Sequence, residues 1–204
     1  AKHGRFREAI KLFSDTLSFD PKHARARLNR SSAALLCDDL AMALDDATQL
    51  VEERPNHELG RLRKSEILMN QGDWENAEFE LRELLKLSHN HSMGLVHLGT
   101  CMIAMGRSEQ AEKPLNKAIA ENPNLSEAWY QRGLLYVDFG RSEKAISDFE
   151  AAVRTDPQHL DARLRIAAIL HEGRDVEKAA TAWRKVLDVD SQNRLARRRL
   201  VECR

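Results

Sequence analysis

The sequence predicts an all-α protein built as a stack of antiparallel helix hairpins, and three observations predict it. A set of positions recurs every 34 residues along the chain. Turn glycines and helix-ending prolines stand at fixed points of that repeat, and only five prolines and nine glycines interrupt 204 residues. Between those points apolar residues recur at helical spacing, as in the stretch Ala128 to Tyr136, so each segment reads as an amphipathic helix.

Four registers define the repeat. Alanine stands at Ala9, Ala43, Ala77, Ala111, Ala145 and Ala179, and four residues later come Phe13, Ala47, Leu81, Leu115, Phe149 and Trp183. Small residues, with Gly99 and Gly133 on the preceding helix, let two helix backbones approach, and the larger residue one turn on fills the gap on the same face. Glycine stands five residues before the alanine at Gly4, Gly72, Gly106 and Gly140, with Asp38 in one copy and Gly173 one residue early in the last. There it accepts the left-handed conformation that ends the first helix of each pair. Proline at Pro21, Pro55, Pro123 and Pro157, replaced by His89 and Ser191, ends the second helix because it has no N–H to continue the ladder.

Taken in order, residues 1–23 hold the end of a first helix and a complete second helix. Full pairs are expected at 24–57, 58–91, 92–125, 126–159 and 160–193, and a terminal helix at 194–204 has no partner. The whole reads as a single solenoid over 1–204, a segment of a longer protein. Each repeat buries its apolar face mainly on its neighbours, and about three repeats suffice for a continuous core.

Composition excludes several functions. The 32 basic and 32 acidic residues leave a formal net charge of zero, so no global field favours nucleic acid or an anionic membrane. No apolar run is long enough to span a bilayer, and the start has no signal-peptide core. Cys37, Cys101 and Cys203 are few, distant and odd in number, which points to a reducing, cytoplasmic setting rather than a disulfide framework or zinc site.

Trp129, Gly133, Tyr136, Gly140, Ala145, Phe149, Ala152 and Pro157 resemble the tetratricopeptide repeat signature almost position for position. Leu95, Leu98, Gly99, Gly106, Ala111, Ala118 and Pro123 match it in the preceding copy. The resemblance spans essentially the whole chain and implies a right-handed superhelical solenoid whose first helices line a concave groove. Its signature residues are packing residues, so it speaks for fold more than for function.

By the family's geometry the groove positions are Arg25, Leu28, Asn29, Ser32 and Leu35 in the first full copy. Leu59, Leu62, Arg63, Glu66, Met69 and Asn70 follow, then Met93, Val96, His97, Thr100, Ile103 and Ala104. The last two copies supply Glu127, Tyr130, Gln131, Leu134, Val137 and Asp138, then Asp161, Leu164, Arg165, Ala168, His171 and Glu172. An apolar trough with adaptable methionines suits an extended segment or a helix of another protein, while many of its Leu and Val positions also serve core packing. Tyr130, Gln131, His97 and Arg63 are the residues that burial alone would not select.

The expected role is therefore a non-enzymatic scaffold or adaptor that binds a peptide or helix. A second reading is a co-chaperone module. The stretch Leu28 to Ala34 resembles the repeat that grips acidic Hsp70 and Hsp90 tails, with the clamp asparagine falling at Asn29 and the clamp arginine at Arg63. The clamp lysine position holds Leu59, and the first-repeat clamp residues would fall before residue 1. A third reading is the substrate-selecting repeat region of a larger enzyme. Self-association is also open, because unfinished hairpins leave apolar faces that a second copy could cover.

No cofactor or metal is implied. His23, His57, His91 and His159 recur in equivalent turns about 8–10 Å apart, too far to share an ion, and read as exposed loop histidines. Acidic pairs such as Asp38–Asp39 and Asp45–Asp46 read as solvated face. The basic run Arg194, Arg197, Arg198, Arg199 and Arg204 reads as the soluble face of a terminal helix. Nothing orders a nucleophile, a base and an orienting acid into a catalytic set.

Overall fold

A computed structural model describes residues 2–203, with side chains from residue 4 onward. Among the described residues the chain forms helices and turns only. The helices are α1 (Lys2–Phe19), α2 (Ala24–Leu36), α3 (Leu40–Glu53), α4 (Glu58–Gln71), α5 (Trp74–Leu87) and α6 (Ser92–Ala104). They continue with α7 (Ser108–Glu121), α8 (Ser126–Asp138), α9 (Ser142–Thr155), α10 (Leu160–Glu172), α11 (Val176–Val189) and α12 (Arg194–Glu202). The chain divides into two compact units, Ala1–Gly106 and Arg107–Arg204. In the first, each helix packs on the next, and α2, α4 and α6 also touch in turn. In the second, each helix packs on the next from α7 to α12. The fold is an all-α array of repeated helix hairpins.

The alanine register is the innermost part of the array. Ala43, Ala77, Ala111, Ala145 and Ala179 are buried, and so are Leu81, Leu115, Phe149 and Trp183 four residues on. Gly133 shows why a small residue is needed: a Cβ there would lie 2.6 Å from Cε1 of Phe149, inside any permissible contact. Phe149 therefore fills the space that a side chain on α8 would occupy.

Turns between the paired helices need one left-handed residue. Gly72, Gly106 and Gly140 supply it with φ between 66° and 76°, and Asp38 adopts φ 64°. The N–H of the following residue then closes the motif: Asp39 donates to Ala34 O, Asp73 to Leu68 O, and Arg141 to Tyr136 O. Two glycines depart from the expectation. Gly173 keeps a right-handed φ of −71°, and Arg174 takes the left-handed place at φ 58°. Gly4 lies inside α1 instead of at a turn, because glycine permits a left-handed residue without imposing one.

The recurring histidines are helix caps, not idle loop residues. Nδ1 of His23, His57, His91 and His159 accepts from the N–H three residues on, at Ala26, Gly60, Gly94 and Ala162. Asn193 makes the same contact to Ala196. On the second helices Asp39, Asp73 and Asp175 cap in the same way. Asp39 thus uses its charge at a helix N-terminus.

Asp46 corrects the solvated-face reading, since it is fully buried and held by Arg30 through contacts of 2.8 and 2.7 Å. The same strut recurs as Arg132 with Asp148, both contacts 2.7 Å, and as Lys64 and Arg61 with Glu80. Each arginine strut also reaches back one hairpin, Arg30 to Ser14 and Arg132 to Asn116. A second device ties the first helices other than α6, which has Leu95 at this register, to the turn before them. Arg27, Arg61, Trp129, Arg163 and Arg197 all donate to the carbonyl six residues earlier.

Candidate functional site

The first helices of the first unit, α2, α4 and α6, present the first set of expected binding residues. At the N-terminal ends of α2 and α4 they form a cleft of about 630 Å³. Leu28 and the 56% exposed Leu59 form its apolar part, with Asn29 beside them. Lys22, Arg25 and Arg54 stand around it against the single carboxylate of Asp20. Two helix N-termini meeting there add partial positive charge to the same mouth.

Further along this face Arg63 donates to Glu66 at 2.6 Å, and both side chains are about three-quarters buried. Burial raises the Glu66 pKa, and the Arg63 charge opposes that rise. His97 on α6 has its pKa lowered to about 4, first by burial and then by the charges of His91 and Arg63. It is therefore a neutral imidazole at physiological pH. Thr100 turns its hydroxyl back to Val96 O, and Met69 and Met93 are half-buried. Val96 corrects the expectation: it has no accessible surface, so it is a packing residue and cannot touch a ligand.

The remaining expected residues belong to the second unit. Tyr130 is half-buried between rings, 5.6 Å from Phe149 and 4.8 Å from His159 by centroid. Gln131 donates to Glu127 at 2.6 Å, and Leu134 packs against the cluster around Phe149 and Tyr136. Asp138 and Arg165 are exposed. His171 lies 3.6 Å from Cys203 Sγ through Nδ1 and 3.6 Å from Glu202 through Nε2.

That line of thiol, imidazole and carboxylate escaped the sequence reading because His171 stands 32 residues before Cys203 and its neighbour Glu202, and meets them only when α12 docks. Glu202 is already engaged by Arg198 and Arg199, and hydrogen bonding from Arg199 lowers its pKa. A sequence signal for the histidine caps did exist, in a histidine placed three residues before Ala or Gly at each helix start. Among the described residues no group of three or more side chains is placed to hold a metal. No helix of the described residues is long and apolar enough to cross a membrane.

The family model "Tetratricopeptide repeat" matches residues 1–58, 102–159 and 130–194. The chain belongs to the tetratricopeptide repeat family. Such repeats are in general non-catalytic protein-interaction modules, and the chain is in that sense an interaction scaffold. No curated protein matches the sequence. Solved structures do match the fold. MamA is 21% identical with a TM-score of 0.68, the match covering 79% of this chain and 95% of MamA. YrrB is 21% identical with a TM-score of 0.62, covering 90% of this chain and 95% of YrrB. A tetratricopeptide repeat protein from Parabacteroides merdae is 19% identical with a TM-score of 0.78, covering 99% and 79%.

Proposed function

We propose that the first unit binds an acidic segment of another protein at the N-terminal ends of α2 and α4. The cleft there carries the proposal. An apolar side chain of the partner would lie on Leu28 and Leu59. A carboxylate would face Arg25, Lys22 and Arg54, with the Asn29 amide able to donate to it. A bound acidic segment would cover the exposed leucine with its apolar side chain and pair its carboxylates with the surrounding cations. YrrB is described as a tetratricopeptide repeat protein with an unusual peptide-binding site, which supports peptide binding as a use of this architecture.

An acidic chaperone tail is one segment of this chemistry, favoured by Asn29 and the cationic rim. Arg63 speaks against a full clamp, because Glu66 already neutralises it. The reading is tested with a fluorescent synthetic peptide in which one leucine stands beside aspartates and a free C-terminal carboxylate. Leu59→Glu should weaken binding by about tenfold or more, since it removes apolar contact and adds like charge. Asn29→Ala should weaken it less. Equal affinity in wild type and Leu59→Glu would remove this cleft as the binding site.

A further inference from the structure

The second unit has a cleft of about 830 Å³ between α9 and α11, floored by α10. Its chemistry becomes legible by comparison with the hairpin before it. There α7 and α9 flank α8, and a stack of side chains occupies the corresponding space. The Arg132 guanidinium lies 5.0 Å from the Trp129 ring centroid and 5.7 Å from that of Tyr136. Lys144 Nζ covers the Tyr136 ring at 5.5 Å, and Arg132 is anchored on Asp148.

One repeat later every one of those five positions lines the cleft, and the stack is gone. Arg163 replaces Trp129, Ile166 replaces Arg132, Leu170 replaces Tyr136, and Ala182 replaces Asp148. Only the lysine is retained, as Lys178, now with no ring beneath it and paired to Asp175 at 2.8 Å. Two aromatic rings and the buried ion pair have given way to an aliphatic floor.

The charges around this floor are ordered. Asp175 and Glu177 stand at the start of α11. Arg154 in the last turn of α9, Arg163 in the first turn of α10 and Lys185 late on α11 gather at the opposite end, because α10 runs antiparallel to its neighbours. The site therefore offers an apolar bed under cations, with a basic end. Among the lining residues Glu150, one turn before Arg154, is the one carboxylate at that end, so three cations there face a single acid, and the floor carries no aromatic ring.

We propose that the cleft between α9 and α11 docks a segment of a partner protein carrying an aromatic residue followed or preceded by acidic residues. The ring lies on Ile166, Leu170 and Ala182 and receives Lys178 on its face, as Tyr136 receives Lys144. The carboxylates meet Arg154 and Lys185. The interaction is a cation–π contact in a partly dry cleft, reinforced by charge pairing at one end. This surface is separate from the α2 and α4 cleft, and the two readings stand or fall independently.

The test titrates the full chain with an acetylated, amidated peptide of one tryptophan bordered on one side by glutamates and on the other by alanines. Its reversed sequence is titrated alongside, and isoleucine methyl NMR reads the signal of Ile166. One of the two directions should shift Ile166, and binding should fall about tenfold or more when alanine replaces the tryptophan. A refilled variant, Arg163→Trp with Ile166→Arg, Leu170→Tyr and Ala182→Asp, rebuilds the stack of the preceding hairpin and should lose the peptide. Arg154→Glu with Lys185→Glu, both at exposed positions, should lose it without touching the floor. Absence of any Ile166 shift in wild type would overturn the proposal. So would unchanged affinity in the charge-reversed variant, or equal binding of a peptide with lysines in place of the glutamates.

Discussion

His97 connects packing to pH most directly. Burial, and then the neighbouring His91 and Arg63, hold its pKa near 4 against an ordinary value of 6.5. Between those two values the unfolded chain takes up a proton that the native chain refuses, so the native state loses stability as pH falls through this window. The stabilisation relative to acid is fully present above about 6.5 and gone below about 4, and its size is on the order of 3 kcal/mol at most. His97→Asn should therefore flatten the difference in urea midpoint between pH 7 and pH 4.5 relative to wild type. A His97 resonance that titrates near 6.5 in the folded protein would contradict the burial argument. Gly133 illustrates the other residue-scale demand, a backbone held so close to Phe149 that no Cβ fits.

The helices and their turns follow a common plan with local departures. Arg174 is the departure with a measurable cost. An ordinary side chain held at φ 58° gives up about 1 kcal/mol that glycine would not. Arg174→Gly should raise the unfolding free energy by about that amount, seen as a higher midpoint in thermal or urea denaturation. A lower midpoint would mean that the arginine makes a contact worth more than the strain. The turn also marks the limit of sequence reading. Glycine at the right offset identified the left-handed residue at Gly72, Gly106 and Gly140, but at Gly173 the offset was displaced and the following arginine took the role. The alanine register was legible because it repeats unchanged, and the position four residues on because it is apolar in every copy. The struts were less so, since Arg30, Lys64 and Arg132 alternate with Leu98 and Ile166 at the same register. A buried pair such as Arg30 and Asp46 looks like surface charge until its partner, 16 residues away on the next helix, is brought opposite. Val96 fails in the opposite direction: register put it toward a ligand, and packing closed over it.

At the scale of the molecule, repetition makes variation informative. Two hairpins have lost the strut: Leu98 and Pro114 replace it with buried apolar packing, whereas Ile166 and Ala182 line a cleft. The formal net charge of zero hides local order of this kind, because cations gather at the mouth of the α2 and α4 cleft and at one end of the α9 and α11 cleft. Family membership accounts for the hairpins and for the general role of scaffold, while the particular partner depends on side chains outside the signature. The most direct measurement is leucine and valine methyl NMR on the full chain as the leucine–aspartate peptide is added. The account predicts that Leu28 and Leu59 shift together with a single affinity while the buried Val96 methyls stay in place. Shifts confined to residues away from α2 and α4, with Leu28 and Leu59 unmoved at saturation, would contradict it.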